Sequence, residues 1–355
     1  MAKVGFAIVG LGSIAETHAQ VIANLKDCYL AAVCSRTMDK AVEFASRHGN
    51  PKAFDEVEYM LEDPDVDIVV ITTPCGAHLH PAKLALKAGK HVIVEKPIEI
   101  TLERAMELER IAEEEGVYLT CIFQSRFSES AKLVKKAVEL GRLGRIAMVE
   151  AQVKWFRAQS YFEAAPWRGS LELCGGGVLI NQAIHEIDLL LYILGKDPVE
   201  LFAYTDMLSH DAIDVEDVAS AVMRFEDGML GCIMATTGSW PGEPRVIELN
   251  GSKGTIRIEN DDIVKWEFSD HMDIDDEADR LMHQEKIQLV SSDSKSVNNG
   301  AFARQYEEFL DAISKGRDPI VSPRESQRAL AVINAIYESS LAHKAVKLGI
   351  GNDNH

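Results

Sequence analysis

The N-terminal segment constrains the fold more than any other part of the chain. An apolar run, Val4–Val9, leads into a Gly-x-Gly-x-x-Ala motif at Gly10, Gly12 and Ala15, which is followed by a helical pattern and a second apolar run, Tyr29–Cys34. This order of strand, tight turn, helix and strand is the context that a dinucleotide-binding motif requires. The first glycine permits the turn, the second lets the backbone approach a pyrophosphate, and the alanine allows close helix–strand packing.

Composition narrows the class of protein. A chain of 355 residues is long enough for two domains, and 46% hydrophobic residues are ordinary for a globular protein. The net charge of −19 disfavours nucleic acid or an anionic membrane as a partner, because both attract basic surfaces. No apolar run approaches a membrane span, and we expect no signal sequence because the N-terminal residues lead directly into a strand pattern. The six cysteines are scattered without a Cys-x-x-Cys pair, which favours reduced thiols in the cytoplasm and no metal site.

Residues 1–124 alternate between strand-like and helix-like patterns. The strands are almost uniformly apolar, as expected for strands buried on both faces of a parallel sheet. The pattern predicts a doubly wound α/β domain, in which ligands bind beyond the carboxyl ends of the strands. The predicted strands are Val4–Val9, Tyr29–Cys34, Val66–Thr72, His91–Glu95 and Tyr118–Phe123.

Residues 125–355 follow a different pattern. Helices are predicted over 128–140 and 178–194, and a series of short strands with tight turns between 145 and 268 predicts an open antiparallel sheet. The acidic stretch 270–279 is predicted to be a solvated loop. Two helices, 301–315 and 325–343, close this second, α/β domain, with the option that a C-terminal helix packs back on the first domain. Residues 352–355 are expected to fray.

Two side chains are candidates for acid–base chemistry. Lys96 follows a predicted strand of the parallel sheet, where a partly desolvated lysine can exchange a proton. His185 follows a run of three glycines, Gly175–Gly177, on a predicted helix. Spacings of three and four residues place Asn181, His185 and Asp188 on one face of that helix, so Asp188 or a nearby group can orient the imidazole. The alternatives are a surface lysine and a histidine packed in the core.

An aromatic and basic segment is a candidate sugar site. Arg157, Tyr161 and Arg168 lie close together in the chain, with tryptophans beside them. Aromatic rings stack on sugar rings, and arginine side chains bond hydroxyl or carboxylate groups. The alternative is a structural loop that packs on the sheet.

The end of the second strand bears on the choice of cofactor. An NAD-specific site usually has an acidic residue there, about 20 residues after the glycines. Ser35 and Arg36 occupy this place instead, and both can contact a 2′-phosphate. The sequence therefore favours NADP over NAD. The predicted cofactor-binding residues are Gly10, Gly12, Ser13, Ile14, Ser35, Arg36, Thr73, Pro74, His78, Glu95 and Lys96.

Several motifs together resemble the glucose–fructose oxidoreductase / inositol dehydrogenase (Gfo/Idh/MocA) family over nearly the whole chain. The most specific of them is the segment from Ala88-Gly89-Lys90-His91 to Glu95-Lys96-Pro97. The resemblance implies a Rossmann domain, a second domain whose open sheet serves as an oligomer interface, and hydride transfer between a nicotinamide and a sugar-like alcohol. Lys96 and His185 match the lysine and histidine of the family, whereas Asn181 replaces its usual Asp.

The substrate-side residues resemble one branch of that family. Tyr161, Trp167-Arg168-Gly169 and Asn181-Gln182 with His185 are similar to the branch that oxidises the 3-hydroxyl of UDP-N-acetylglucosaminuronic acid. The resemblance implies that Lys96 and His185 share the proton transfer. It also implies that Asn181 and Gln182 position the substrate, with Arg157, Tyr161 and Arg168 around them.

The sequence as a whole therefore predicts a cytoplasmic NAD(P)-dependent oxidoreductase. Its expected substrate is a sugar, sugar acid or nucleotide sugar, and a homodimer or homotetramer is the expected assembly. Two alternatives remain. One is an oxidoreductase of a non-sugar substrate, of the dihydrodiol or biliverdin type, and the other is a non-catalytic NADP-binding regulator.

Overall fold

The structure is a computed structural model that describes residues 3–283 and 299–349. The described chain forms two compact units. The first holds the described residues up to Gln124 together with those from Asn299 to Gln327, and the second holds the remainder from Ser125 onwards. The tail over 352–355, predicted to fray, lies outside the described residues.

The first unit is built on a six-stranded sheet in which every strand pair is parallel. The strand order is β3-β2-β1-β4-β5-β6, which is the doubly wound order of a dinucleotide-binding fold. The predicted fold class is thereby confirmed. The strand β3, a half-exposed edge strand of three residues, was not predicted. The strands are β1 Val4–Val9, β2 Cys28–Cys34, β3 Lys52–Phe54, β4 Ile68–Ile71, β5 His91–Val94 and β6 Leu119–Cys121.

Five helices connect these strands. Each turns a face of buried residues toward the sheet, as in α1, where Ala15, Ala19 and Ile22 are buried. Local signals set their ends: in α5 the Thr101 hydroxyl accepts the Arg104 N–H, and Gly116 terminates the helix with a φ of 65°. The helices are α1 Ser13–Asn24, α2 Met38–Arg47, α3 Val57–Leu61, α4 Leu79–Lys87 and α5 Leu102–Glu115.

The second unit contains an eight-stranded sheet in the order β13-β12-β11-β7-β10-β9-β8-β14. All pairs are antiparallel except β7 with β10, which run parallel, so the sheet is mixed rather than antiparallel as predicted. A parallel pair needs a long crossover, and the residues between β7 and β10 supply it. The strands are β7 Ile146–Lys154, β8 Glu200–Asp206, β9 Val218–Arg224, β10 Leu230–Thr236, β11 Val246–Gly251, β12 Gly254–Glu259, β13 Asp262–Phe268 and β14 Val346–Lys347.

The remaining helices include one in place of a predicted loop. The acidic stretch forms α10 because Asp275 bonds Arg142 and the Trp266 indole. Burial raises the pKa of Asp275, but these bonds outweigh it and lower the pKa to about 2. The helices are α6 Glu129–Glu139, α7 Ser160–Glu163, α8 Leu171–Cys174, α9 Ile184–Leu194, α10 Asp273–His283, α11 Asn299–Lys315 and α12 Pro323–Ala342.

Helix α11 lies in the first unit, although the predicted division placed residues 125–355 in the second domain and left open that a C-terminal helix packs back on the first. Phe302, Tyr306 and Phe309 are almost fully buried and join the core of the first unit, together with Phe6 and Ile22. Burial of three aromatic side chains contributes several kcal/mol, at roughly 1.5–3 kcal/mol for a large apolar side chain. The first unit therefore includes a segment that follows the second in sequence.

One stretch, Leu171–Leu194, is long and apolar enough in composition to cross a membrane, contrary to the expectation that no such run exists. Of its most apolar window, 83% is buried inside the protein. This burial is what a core helix of a globular unit requires, so length and composition alone carry no membrane assignment here.

A buried ionic cluster lies in the second unit. Arg245 donates hydrogen bonds to Glu186 on α9 and to Asp261, at 2.6 and 3.1 Å. Burial raises the pKa of Glu186 to about 7, and the nearby Asp261 adds to the increase, while Arg245 opposes it. In the folded state Glu186 therefore takes up a proton at a higher pH than in the unfolded chain.

This increase in pKa predicts a pH-dependent stability. Because the folded form binds the proton more tightly, the stabilisation from Glu186 is complete below pH 4.5 and is lost as the pH rises through about 7. A shift of this size corresponds to roughly 3 kcal/mol of unfolding free energy. Glu186→Gln should flatten the pH dependence between pH 5 and 8, measured by urea unfolding. The exposed Glu172→Gln serves as the control. An unchanged slope in Glu186→Gln would contradict the assignment.

Candidate active site

The first glycine of the motif has a backbone conformation that other residues rarely adopt. Gly10 has a φ of 93°, and a Cβ there would lie 2.7 Å from the backbone nitrogen of Thr73. Its N–H donates to the carbonyl of Cys34 at 3.0 Å, and the Thr72 hydroxyl donates to the Gly10 carbonyl. Gly10 therefore brings the loops after β1 and β4 into close contact.

The second glycine, Gly12, has an ordinary backbone conformation and no close neighbours. Gly12 precedes α1 with a φ of −87°, no side chain caps the helix, and a Cβ built on Gly12 would meet no atom within 4 Å. Ser13 is exposed and Ile14 is half-buried, whereas Ala15 is fully buried. Open space above an uncapped helix N-terminus fits the pyrophosphate of a dinucleotide. The motif residues of this chain therefore fit the cofactor that the fold implies.

The end of β2 carries the predicted ribose-side residues. Ser35 is half-buried and Arg36 is exposed, and neither is acidic. The structure adds acidic residues that the sequence analysis did not consider. Burial raises the pKa of the Cys34 thiol to about 11, and the acidic residues Asp55 and Glu56, which follow β3, add to the increase. Both positive and negative groups therefore lie near the end of β2.

The His78 ring contacts the backbone of the loops that follow β4 and β5. Its ring nitrogens face the carbonyl oxygens of Pro97 and Thr73 at 3.0 and 2.9 Å, and only 1% of the residue is exposed. Burial lowers the pKa of His78, which favours a neutral ring with one N–H to donate. Thr73 and Pro74 remain at the surface of this loop. The buried ring of His78 supports these loops, and its predicted contact with the cofactor stays a prediction.

Lys96 directly follows the last buried residues of β5. Its backbone N–H donates to Oε2 of Glu95 at 3.0 Å, and its side chain is half-buried. Glu95 is 8% exposed, and its other oxygen lies 2.9 Å from Nε2 of His18. Lys96 thus lies at the carboxyl edge of the parallel sheet, as predicted, while Glu95 points into the protein.

In the second unit, a buried carboxylate holds the three-glycine loop. Glu216 accepts the backbone N–H groups of Gly177 and Leu179 at 2.7 and 2.9 Å, and the Tyr337 hydroxyl at 2.9 Å. A Cβ at Gly177 would collide with the Glu216 carbonyl, and one at Gly176 would collide with the Tyr337 hydroxyl. These glycines are therefore required by close backbone contacts.

This loop leads into a π-helical turn, Leu179–Ala183, that precedes α9. The Asn181 amide donates to Sγ of Cys174 at 2.9 Å, and the Gln182 amide donates to the Tyr161 hydroxyl at 3.3 Å. His185 follows in the first turn of α9 and is half-buried. Since π-turns occur often at functional sites, this irregularity strengthens the candidate site.

Asp188 forms a buried ion pair with Arg126. Its two carboxylate oxygens accept hydrogen bonds from Nε and Nη2 of Arg126 at 2.8 and 2.6 Å, and both residues are 1% exposed. A bidentate pair of this kind neutralises a buried guanidinium. Asp188 therefore neutralises a buried arginine within the second unit, and the expectation that Asp188 or a nearby group orients His185 stays a prediction.

Two arginines flank the ring of Tyr161. The guanidinium carbons of Arg168 and Arg157 lie 4.2 and 5.4 Å from the ring centre. Arg157 also lies 4.8 Å from the ring of Trp155. Among the residues that the structure describes, the buried Nε of Arg157 has no hydrogen-bond partner. The cluster therefore offers positive charge, ring faces and an unused donor to a ligand, and Gln182 joins it to the π-turn.

Some residues that shape the site gave no recognisable sequence signal. His18, Tyr306 and Glu216 are buried polar residues supplied by parts of the chain far from the motifs. His18 and Tyr306 occur within otherwise apolar helical patterns, which could have indicated buried polar contacts.

The fold and the glycine motif define an NAD-binding oxidoreductase. Residues 4–123 match the model of the oxidoreductase family with an NAD-binding Rossmann fold, and residues 131–257 match the GFO/IDH/MocA C-terminal domain. The chain belongs to the GFO/IDH/MocA oxidoreductase family.

Solved structures and a curated relative agree with this assignment. The WlbA dehydrogenase from Bordetella pertussis, in complex with NADH and UDP-GlcNAcA, is 31% identical with a TM-score of 0.89, and 99% of each chain is covered. The WlbA dehydrogenase from Chromobacterium violaceum is 29% identical with a TM-score of 0.87, over 99% of this chain and 97% of that one. Myo-inositol 2-dehydrogenase from Thermotoga maritima is 28% identical over 96% of this chain and 97% of its own.

The open space at Gly12 predicts a variant that separates folding from cofactor binding. Gly12→Ala should keep the wild-type unfolding temperature, because its backbone is in a common conformation and the added Cβ meets no atom within 4 Å. Its Kd for NADH should rise by about tenfold or more, which corresponds to 1.4 kcal/mol. Gly349→Ala, which also adds a Cβ to open space, is the control. Wild-type NADH affinity in Gly12→Ala would contradict a close approach of the pyrophosphate.

Proposed function

We propose that the protein oxidises the 3-hydroxyl of UDP-N-acetylglucosaminuronic acid, or of a closely similar nucleotide sugar acid, to the ketone. The observation that carries the proposal is the cluster in which Arg157 and Arg168 flank Tyr161, whose hydroxyl bonds Gln182. On a chain of net charge −19, a local pair of arginines favours an anionic ligand. The similarity to WlbA over 99% of both chains supports the same substrate class.

In this proposal, different residues of the chain have different roles in the reaction. Hydride passes from the carbinol carbon to the nicotinamide, and this is the chemistry that the bound cofactor supplies. We propose that Lys96 and His185 act on the hydroxyl at that carbon and remove its proton, which leaves the ketone. Asn181 and Gln182 position the sugar, and Arg157, Tyr161 and Arg168 hold its anionic and ring groups. Because Asn181 cannot ionise, the proton transfer rests on Lys96 and His185.

A panel of sugars with a matched pair of nucleotide sugars tests the substrate. We expect the absorbance of reduced nicotinamide to rise fastest with UDP-N-acetylglucosaminuronic acid. UDP-N-acetylglucosamine, which lacks the carboxylate, should have a kcat/KM lower by about 10- to 100-fold, because a hydrogen bond to a charged group contributes roughly 1.5–3 kcal/mol.

Lys96→Met should reduce kcat by roughly 100- to 10,000-fold, the range of general acid–base catalysis, while NADH affinity changes little.

Three outcomes would contradict the proposal. Equal turnover of the two nucleotide sugars would remove the carboxylate from recognition. Turnover of a dihydrodiol or of inositol in preference to both would assign a different substrate. Absence of turnover with any alcohol, despite tight NADH or NADPH binding, would favour the non-catalytic regulator.

For the cofactor, we propose that the site favours NADPH over NADH. No carboxylate ends β2, and Ser35 and Arg36 can both bond a 2′-phosphate. Asp55 and Glu56 oppose this preference by their charge, so Arg36 must compensate for them.

The cofactor preference predicts a selective effect of Arg36→Ala. The variant should weaken NADPH binding by about tenfold or more, because a charge-assisted contact of roughly 1.5–3 kcal/mol is lost, and NADH binding should change little. Kd values for both reduced cofactors, measured by fluorescence, provide the test, and Lys40→Ala in the following helix is the control. Tighter binding of NADH than of NADPH to the wild type would contradict the proposal, as would equal weakening of both in Arg36→Ala.

We further propose a homodimer or homotetramer formed through the outer face of the second unit's sheet. Residues alternate along the strands, so Ala219, Ala221 and Met223 are buried while Val222 is 59% exposed. Beside it on the outer face lie Met148, Tyr204 and Leu230, each at least half exposed. Contiguous apolar side chains on a sheet face usually mark a protein–protein contact.

The mass of the predicted assembly can be measured directly. Light scattering at micromolar concentration should give about two or four times the chain mass of 39.2 kDa. Val222→Glu should shift the mass toward a monomer, because it buries a charge in the interface. Leu341→Glu places the same charge on a side chain that is 84% exposed on α12 and is the control. A wild-type monomer would refute this assembly.

The thiol chemistry supports a cytoplasmic location, which we include in the proposal. Four of the six cysteines are buried. Buried thiols behave as small hydrophobic side chains and suit a reducing compartment.

A further inference from the structure

Three buried polar side chains form a chain of hydrogen bonds inside the first unit. The Tyr306 hydroxyl on α11 lies 2.6 Å from Nδ1 of His18 on α1, and Nε2 of His18 lies 2.9 Å from Oε1 of Glu95. His18 is fully buried, and Tyr306 and Glu95 are 1% and 8% exposed. The rings of Phe6 and Phe302 pack around them at 5.6–5.7 Å between ring centres.

The chain ends at the backbone of Lys96. Oε2 of Glu95 accepts the Lys96 N–H at 3.0 Å, while the N–H of Glu95 donates to the carbonyl of Ile71 on β4 at 2.9 Å. Glu95 therefore bonds to the end of β4, to the core and to the start of the Lys96 loop. Lys96 is the first residue beyond this fixed point.

One arrangement of protons satisfies every contact. Burial raises the pKa of Glu95, but the hydrogen bond from His18 and the charge of Lys96 outweigh it and lower the pKa, so Glu95 is ionised and accepts at both oxygens. Burial also raises the pKa of Tyr306, which keeps its phenol protonated. With the imidazole proton on Nε2, Tyr306 donates to His18 and His18 donates to Glu95. In this arrangement Glu95 accepts hydrogen bonds from both His18 and the Lys96 backbone.

Stability alone is a weak reason for this arrangement. Buried polar and ionised groups cost free energy, and well-packed apolar residues of similar volume often serve a core equally well. Such networks do, however, hold a unique geometry. Groups that position a reacting side chain must fix it to within about 0.5 Å, and a displacement of about 1 Å can reduce the rate by roughly 100-fold.

We propose that Glu95, held by His18 and Tyr306, is a positioning residue that fixes the backbone of Lys96 for proton transfer. The inference rests on the proposed catalytic function of Lys96. It replaces the expectation that Glu95 binds the cofactor directly, because both of its carboxylate oxygens are used within the protein.

Two substitutions at Glu95 separate positioning from mere stability. Glu95→Ala removes the acceptor of the Lys96 N–H and should lower kcat by about 10- to 100-fold, whereas KM and the Kd for NADH should change little. Glu95→Gln keeps an oxygen for the Lys96 N–H. Its amide N–H can donate to Nε2 of His18 once the imidazole proton moves to Nδ1, which then donates to the Tyr306 hydroxyl, so the variant should recover most of the lost kcat. Tyr306→Phe should lower kcat less than Glu95→Ala does. Tyr118→Phe, a half-buried tyrosine outside the chain of bonds, is the control.

A structural measurement keeps this test independent of the proposed substrate. Crystal structures should show the Lys96 Cα displaced in Glu95→Ala and in place in Glu95→Gln, whether or not any sugar is turned over. If Glu95→Ala does not fold, Glu95→Gln and Tyr306→Phe carry both measurements. The proposal would be overturned if Glu95→Ala keeps the wild-type kcat and its Lys96 is not displaced. If Glu95→Ala does not fold, the same result in Tyr306→Phe would overturn it. Loss of kcat without recovery in Glu95→Gln, while Lys96 stays in place, would overturn it as well. Failure of the wild type to oxidise any sugar would instead refute the proposed function.

Discussion

The parallel register of β1, β4 and β5 is the constraint on which the site in the first unit depends. Val9 pairs with Ile71, and Ile71 pairs with Val94, so the three strands end at the same level. Each strand is then followed by residues of the candidate site: the glycine motif after β1, Thr73 after β4, and Lys96 after β5. Because parallel strands share one carboxyl edge, uniformly apolar strand sequences already determine where the polar groups collect.

Buried carboxylates accept backbone N–H groups in loops that lie outside helices and strands, and so fix the conformation of these loops. Glu216 accepts two backbone N–H groups of the three-glycine loop in the second unit, and Glu95 accepts the N–H of Lys96 in the first. In both units a phenol completes the arrangement, Tyr337 at Glu216 directly and Tyr306 through His18. Residues of the candidate site can therefore lie on loops and turns while buried side chains of the core fix their backbones.

The sequence allowed much of this to be predicted, and its failures have physical causes. Local patterns specify strands, helices and the glycine motif, since each depends on neighbouring residues. The parallel pairing of β7 with β10, the packing of α11 into the first unit and the pairing of Asp188 with Arg126 depend on residues far apart in sequence. The π-turn at Leu179–Ala183 was missed because an apolar helical pattern does not reveal a changed hydrogen-bond spacing. The helix at Asp273–His283 was missed because its acidic residues suggested solvent, whereas Arg142 and Trp266 bond one of them.

We propose that Lys96 and His185 act on the same hydroxyl group. A double-mutant cycle tests it most directly: kcat would be measured for Lys96→Met, His185→Asn and the double variant, with folding checked for each by its unfolding temperature. If the two side chains serve one proton transfer, the double variant should lose about as much activity as the more damaged single variant. Losses that multiply in the double variant would show two independent contributions and would contradict the account.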